Sequence, residues 1–350
     1  MELLCLGDVA IVKRNPDDVP WEPPAGLQPG EQTRLLFNWE LPIGNTLNQK
    51  PRSRGARFMA DIKSPEIIKN WAPGFATLAT NHILDAGEEG LVETIQTLRK
   101  SGFSTVGGGQ KMQEIIQPLI WEAAEGRLAF VNWVFPETHP DWMSVPGANC
   151  WPGITNAAQT IQALKHQVDW VVIVVHWSDE HFSYPRPEDR EIARQLSSAG
   201  ANLIIGHHPH VVRGMERIGT CPIFYSLGNF YFSDIPAHRG GWTIRQAPRN
   251  REGLGVRVSF RVNREPEWQV ISFWQTGSKV VTDRLNRATN RMMRVSTPLK
   301  QYPNSSYAAW YTDQRARFDK LGYRWHFRLW QLGIHGQLQY LFRLVRFTSR

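Results

Sequence analysis

Paired cysteines, a Cys-x-x-Cys motif, a long apolar run and a basic leader are all missing from this 350-residue chain. Cys5, Cys150 and Cys221 are odd in number and far apart, which excludes a disulfide framework and a Cys-based zinc or redox site. They read as buried thiols. No apolar stretch approaches the roughly 18 residues that cross a bilayer. The first residues, MELLCLGDVA, enter a strand-like run at once rather than a signal sequence. The expectation is a chain with no signal peptide or transmembrane segment, cytoplasmic in location or peripheral to a membrane.

Charge of one sign is scarce in the body and abundant in the tail. Lys279 to Arg350 holds 14 basic and 3 acidic residues, a net +11, whereas residues 1–278 carry a net −3. The basic character therefore says nothing about what the body binds. It points to an anionic partner for the tail, such as an anionic membrane surface, and nucleic acid is not expected.

Along the body, short runs rich in Leu, Ile, Val and Phe alternate with amphipathic stretches, the pattern of βαβ units in an α/β fold. Strands are expected over Leu3–Leu6, Thr33–Phe37, Phe75–Ala79, Leu128–Val134, Trp170–Val175, Ala201–Ile205 and Pro222–Tyr225. A helix is expected after Gly87. Glu88 and Glu89 suit its start, Leu91, Ile95 and Leu98 form its stripe, and Gly102 stops it. Leu254–Val262 and Trp268–Phe273 read as an antiparallel hairpin at a sheet edge. The division expected is a domain over 1–277, a basic linker or strap over 278–303, and an amphipathic helical tail over 304–350. In that tail, Phe318, Leu321, Trp325, Leu329 and Leu332 recur beside a basic stripe of Arg317, Lys320, Arg324 and Arg328. The stripe suits either adsorption to anionic lipid or packing on the body.

Polar residues collect after the strands. Asp8, Asn38 with Glu40, Asn81 with His82, His176, then His207, His208 and His210, and finally Asn229 each follow an apolar run. In parallel α/β sheets ligands sit outside the carboxyl ends of strands, so one crevice gathers these side chains. Carboxylates, an Asn carbonyl and several imidazoles, with no sulfur, make the mixed oxygen and nitrogen shell suited to Mn, Fe or Zn. Two such ions can activate a water and stabilise both oxygens of a displacement. Taken singly, Asp8 suits a turn, Asn81 a helix cap, His176 a buried hydrogen-bonded histidine, and Glu180 a solvated loop charge. Three imidazoles within GHHPH are harder to explain structurally.

At these motifs the sequence resembles the CapA family, the bacterial poly-γ-glutamate capsule biosynthesis proteins within the calcineurin-like metallophosphoesterase superfamily. The pieces are CLGDV (5–9), NWELP (38–42), ATNHILDAGEEGLVETIQTLRKSG (79–102), VHWSDEHF (175–182), GANLIIGHHPHVV (200–212) and IFYSLGNFYF (223–232). The resemblance implies a metallophosphatase-like four-layer sandwich, two packed β-sheets flanked by helices, here with a basic helical C-terminal tail. It implies Asp8, Glu40, Asn81, His176, His208 and His210 as metal-site candidates, with two divalent ions. His82 would be the general acid, and His207, Glu180 and Asn229 would orient ligands or substrate. The implied activity is hydrolysis of an anionic substrate, a γ-glutamyl polymer or a phosphoester. The alternative is a non-catalytic assembly factor that keeps the fold, because Ala10 stands where the wider superfamily's Asp-x-His has its histidine.

Overall fold

The computed structural model describes residues 1–12, 20–24, 26–30, 32–44, 58–138, 147–236 and 243–320. The chain runs β1 (Glu2–Ala10), β2 (Thr33–Trp39), β3 (Gly74–Thr77), α1 (Gly87–Lys100), β4 (Phe103–Val106), β5 (Gly108–Gly109) and α2 (Met112–Ile116). Next come β6 (Leu119–Ala123), β7 (Gly126–Val134), β8 (Gly147–Ala148), α3 (Ile154–Lys165), β9 (Trp170–His176), α4 (Pro187–Ala199), β10 (Leu203–His207), β11 (Met215–Ile218) and β12 (Cys221–Phe224). It continues through β13 (Asn229–Phe232), β14 (Ile235–Pro236), β15 (Thr243–Ile244), β16 (Glu252–Ser259), β17 (Glu267–Thr276), β18 (Lys279–Thr282), α5 (Arg287–Gln301) and α6 (Asn304–Lys320).

Two sheets dominate. One has the order β18-β17-β16-β1-β2-β3-β4, with β13 also pairing β1; the other has the order β11-β12-β10-β9-β7-β6. Their centres are parallel, and β16, β17 and β18 add antiparallel ladders at one side. The expected hairpin is therefore present, but β18 rather than the hairpin forms the edge.

Alternation along the strands sets the layers. In β1, Leu3 and Cys5 face the second sheet, where they join Val172, Val174, Leu203 and Ile205 in one inter-sheet core. Leu4 and Leu6 face the opposite way and pack with Leu91 and Leu98 of α1. In β9, Val171, Ile173 and Val175 face Ile161 of α3 and Leu196 of α4. Strands buried on both faces must be apolar throughout, which explains the near-continuous Val/Ile runs. The result is a helix–sheet–sheet–helix sandwich, the layout implied by the family resemblance.

The expected linker at 278–303 takes a different form. Lys279–Thr282 adds a strand to the large sheet, and α5 buries Ala288, Met292, Val295 and Leu299 against the body. That 4,3,4 spacing is present in the sequence but is masked by the arginines between its members. The tail begins as α6, whose Tyr307 is fully buried and donates to the Pro185 carbonyl at 2.8 Å. Phe318 packs edge-on against Phe182, with centroids 4.9 Å apart. The remainder of the proposed stripe, Leu321 to Leu332, lies outside the described residues. Among those described, no helix is long and apolar enough to cross a membrane.

Candidate metal centre

The carboxyl ends of β1, β2, β9 and β10 open onto one buried cluster. Asp8 is placed by close apposition of two backbones: its N–H donates to the Gly228 carbonyl at 3.0 Å, and it stands opposite Asn229 in the β1–β13 ladder. Its Oδ1 lies 2.9 Å from His207 Nδ1, and its Oδ2 lies 3.3 Å from His210 Nδ1. His210 Nδ1 also lies 2.9 Å from Asn229 Oδ1. Asn38 joins the two carboxylates, donating to Asp8 Oδ1 at 3.0 Å and to Glu40 Oε2 at 2.6 Å.

Beside this pair a second group meets at His176. Its Nε2 lies 2.9 Å from Asn81 Oδ1, 3.1 Å from His208 Nδ1 and 3.6 Å from Glu40 Oε1. A neutral imidazole has one N–H to give, too few for such a gathering of lone pairs. Glu40, His176 and His208 each offer one ligand atom within 4.8 Å of the others, and so do Glu180, His208 and His210. Glu40 Oε1 and His207 Nε2 are buried without a hydrogen-bond partner among the described residues. A divalent cation satisfies orphaned lone pairs of this kind, so the donor set fits a metal.

Electrostatics agree with that fit. Burial pushes the His176 and His208 imidazoles well below their ordinary range, leaving neutral nitrogens available for ligation. Burial, reinforced by Asp8, pushes the Glu40 carboxyl up. Burial also opposes ionisation of Asp8, but the hydrogen bonds of His207 and His210 outweigh it and hold this carboxyl well below the usual range. His210 is the counterpart: despite burial, its hydrogen bond to Asp8 raises it to about 10. The backbone is strained in the same place. His208 (φ 91°), His210 (55°), Ser178 (74°) and His181 (65°) are all left-handed non-glycine residues, in the two loops that border the cluster.

A bacterial capsule synthesis protein family, PGA_cap, matches residues 30–234, more than half of the chain. The chain belongs to that family. It is 28% identical over 239 residues to the PGA biosynthesis protein CapA of Bacillus subtilis, covering 67% of this chain and 59% of that protein. It is 27% identical over 273 residues to the capsule biosynthesis protein CapA of Bacillus anthracis, covering 74% and 62%. The chain thus spans about 60% of the length of these curated relatives. A putative 5′-nucleotidase from Staphylococcus aureus is similar at 10% identity and a TM-score of 0.46, covering 85% of this chain and 58% of that one.

For this family member the structure brings Asp8, Glu40, Asn81, His176, His207, His208, His210 and Asn229 together at the sheet ends. Glu180, half exposed, stands at the rim. His82 is buried beside Asn81, with Nδ1 2.7 Å from Asp85 Oδ2. Asn38, which the sequence places with Glu40 after the second strand without a role, bridges the two carboxylates. Two contributors were missed: Asp85 holds His82, and Arg213 is fully buried under the 178–182 loop. Neither stands in a motif that singles it out.

Proposed function

We propose that this chain is a metal-dependent hydrolase acting on an anionic substrate, a γ-glutamyl chain or a phosphoester, in capsule or poly-γ-glutamate biosynthesis. The observation that carries this reading is the convergence of Glu40, Asn81, His176 and His208 on one point, next to the Asp8–His210 pair. The names of the Bacillus relatives support the biosynthetic setting.

Asp8, Glu40, Asn81, His176, His208 and His210 would hold two divalent ions, of Mn, Fe or Zn. Such ions supply a water acidic enough to attack near neutral pH and positive charge for the substrate's oxygens. The chain's own residues do the rest. Asn38 keeps both carboxylates in place by donating to each. Asp85, itself fixed by the Phe58 N–H at 2.8 Å, sets the His82 ring, and His82 would deliver a proton to a leaving group. His207 orients Asp8, and Asn229 orients His210.

The second reading, an assembly factor without turnover, is favoured by one feature. Ala10 is buried and pairs with Phe232, so this position supplies no ligand. Elemental analysis joined to a substrate panel separates the two. Stoichiometric Mn, Fe or Zn, with turnover of poly-γ-glutamate or a generic phosphodiester that His82→Ala lowers by about 10²- to 10⁴-fold, supports the hydrolase. Protein that carries no metal and turns over neither substrate supports the scaffold.

A further inference from the structure

The loop that carries Glu180 is held between two guanidinium groups. Ser178 and His181, on either side of Glu180, both adopt left-handed backbone angles, which non-glycine residues keep only where their surroundings force them. From below, buried Arg213 supplies that force. It donates to the Phe182 carbonyl and the Asp179 carbonyl, each at 2.9 Å, and to the Ser178 hydroxyl. From above, the force comes from α6. Arg315 donates to Asp179 Oδ2 at 2.8 Å and lies over the Phe182 ring, 5.3 Å from its centroid. Tyr311 and Phe318 close on the same ring edge-on, at 5.4 and 4.9 Å.

We propose that α6 is a working part of the metal centre: Arg315, with Tyr311 and Phe318, clamps residues 178–182 and so holds the Glu180 carboxylate towards His208 and His210. Arg315 is then a positioning residue, acting through Asp179. The inference rests on the metal-centre reading above. It adds a component from outside residues 30–234, the stretch that the family match covers. Asp179 is 38% exposed, and ion pairs at such sites contribute little to global stability, so the clamp's effect belongs to loop position rather than to unfolding.

Two measurements on the full chain test it. Without added metal, hydrogen exchange at residues 178–182 is compared for wild type, Arg315→Ala, Arg315→Lys and Asp179→Asn. Cobalt(II) is then titrated into each and read by its visible absorption. The expected result is faster exchange in the loop for Arg315→Ala and Asp179→Asn. One of two cobalt equivalents should weaken about tenfold or more, the other should be unchanged, and Arg315→Lys should recover part of the loss. Loop exchange at the wild-type rate in both variants overturns the clamp. Faster exchange with both cobalt equivalents intact overturns its link to the metal centre. Wild type that binds no cobalt sinks the metal reading itself, while the exchange data still decide the clamp. If Arg315→Ala frees all of α6, Asp179→Asn decides, since it leaves that helix's sequence intact.

Discussion

Gly7 faces the Gly228 carbonyl so closely that a Cβ on Gly7 would stand 2.0 Å from that oxygen. The GD and LGN motifs, 220 positions apart, are therefore two sides of one contact that fixes Asp8. Gly7→Ala should force the backbones apart, cost about 1–3 kcal/mol or more, and displace Asp8. Thermal unfolding and metal content together check this. Gly30→Ala, whose added methyl would meet nothing within 4 Å, should leave both unchanged.

Glu40 should cost the metal-free protein stability. Burial and Asp8 raise its carboxyl, so its ionised form is disfavoured in the fold at neutral pH. Glu40→Gln keeps an acceptor for Asn38 and removes the charge. Its expected outcome is a higher melting temperature without metal, by the equivalent of about 1 kcal/mol, and weakened metal binding. A lower melting temperature in the absence of metal would contradict this account.

The Asp8–His210 pair makes the metal-free protein pH-sensitive. His210 holds its proton more tightly folded than unfolded, so its contribution is complete below about pH 6.5 and is lost as pH rises towards about 10. The depressed Asp8 contributes above about pH 4 and loses that contribution as pH falls. Melting temperatures of chelated protein should thus decline from pH 6.5 to 10, and His210→Gln should flatten the slope. Metal uptake should release protons at neutral pH, measurable by calorimetry in buffers of different ionisation enthalpy.

Asp85 lies 2.7 Å from His82 Nδ1 and orients that ring. Asp85→Asn should lower turnover about tenfold, less than the loss in His82→Ala, with metal stoichiometry unchanged. Loss of metal in Asp85→Asn would instead make it a structural support of the centre.

The basic tail, with its net +11 from Lys279 onwards, should adsorb weakly to anionic vesicles. Co-sedimentation should fade with added salt, since attraction between exposed charges is screened over about 8 Å at physiological ionic strength. Binding that ignores salt, or none, would leave the tail as a packing element.

Local chemistry determined much of this protein by itself. Apolar runs such as Trp170–Val175 are strands because a doubly buried strand must be apolar, and Gly87–Lys100 is a helix because its stripe, end charges and stop all agree. The polar residues after those runs were legible as one site for the same reason: parallel strands point their carboxyl ends the same way. What only tertiary structure decided is which atoms meet. Asn38 between two carboxylates, Asp85 behind His82, and the separation of His207 and His210 on Asp8 from His208 on His176 depend on how loops from different strands are packed together, which no local pattern encodes. The burial of Arg213 and the docking of α5 and α6 are of the same kind. A guanidinium or a polar helix carries no mark of its partner in the sequence, because that partner is supplied by the fold.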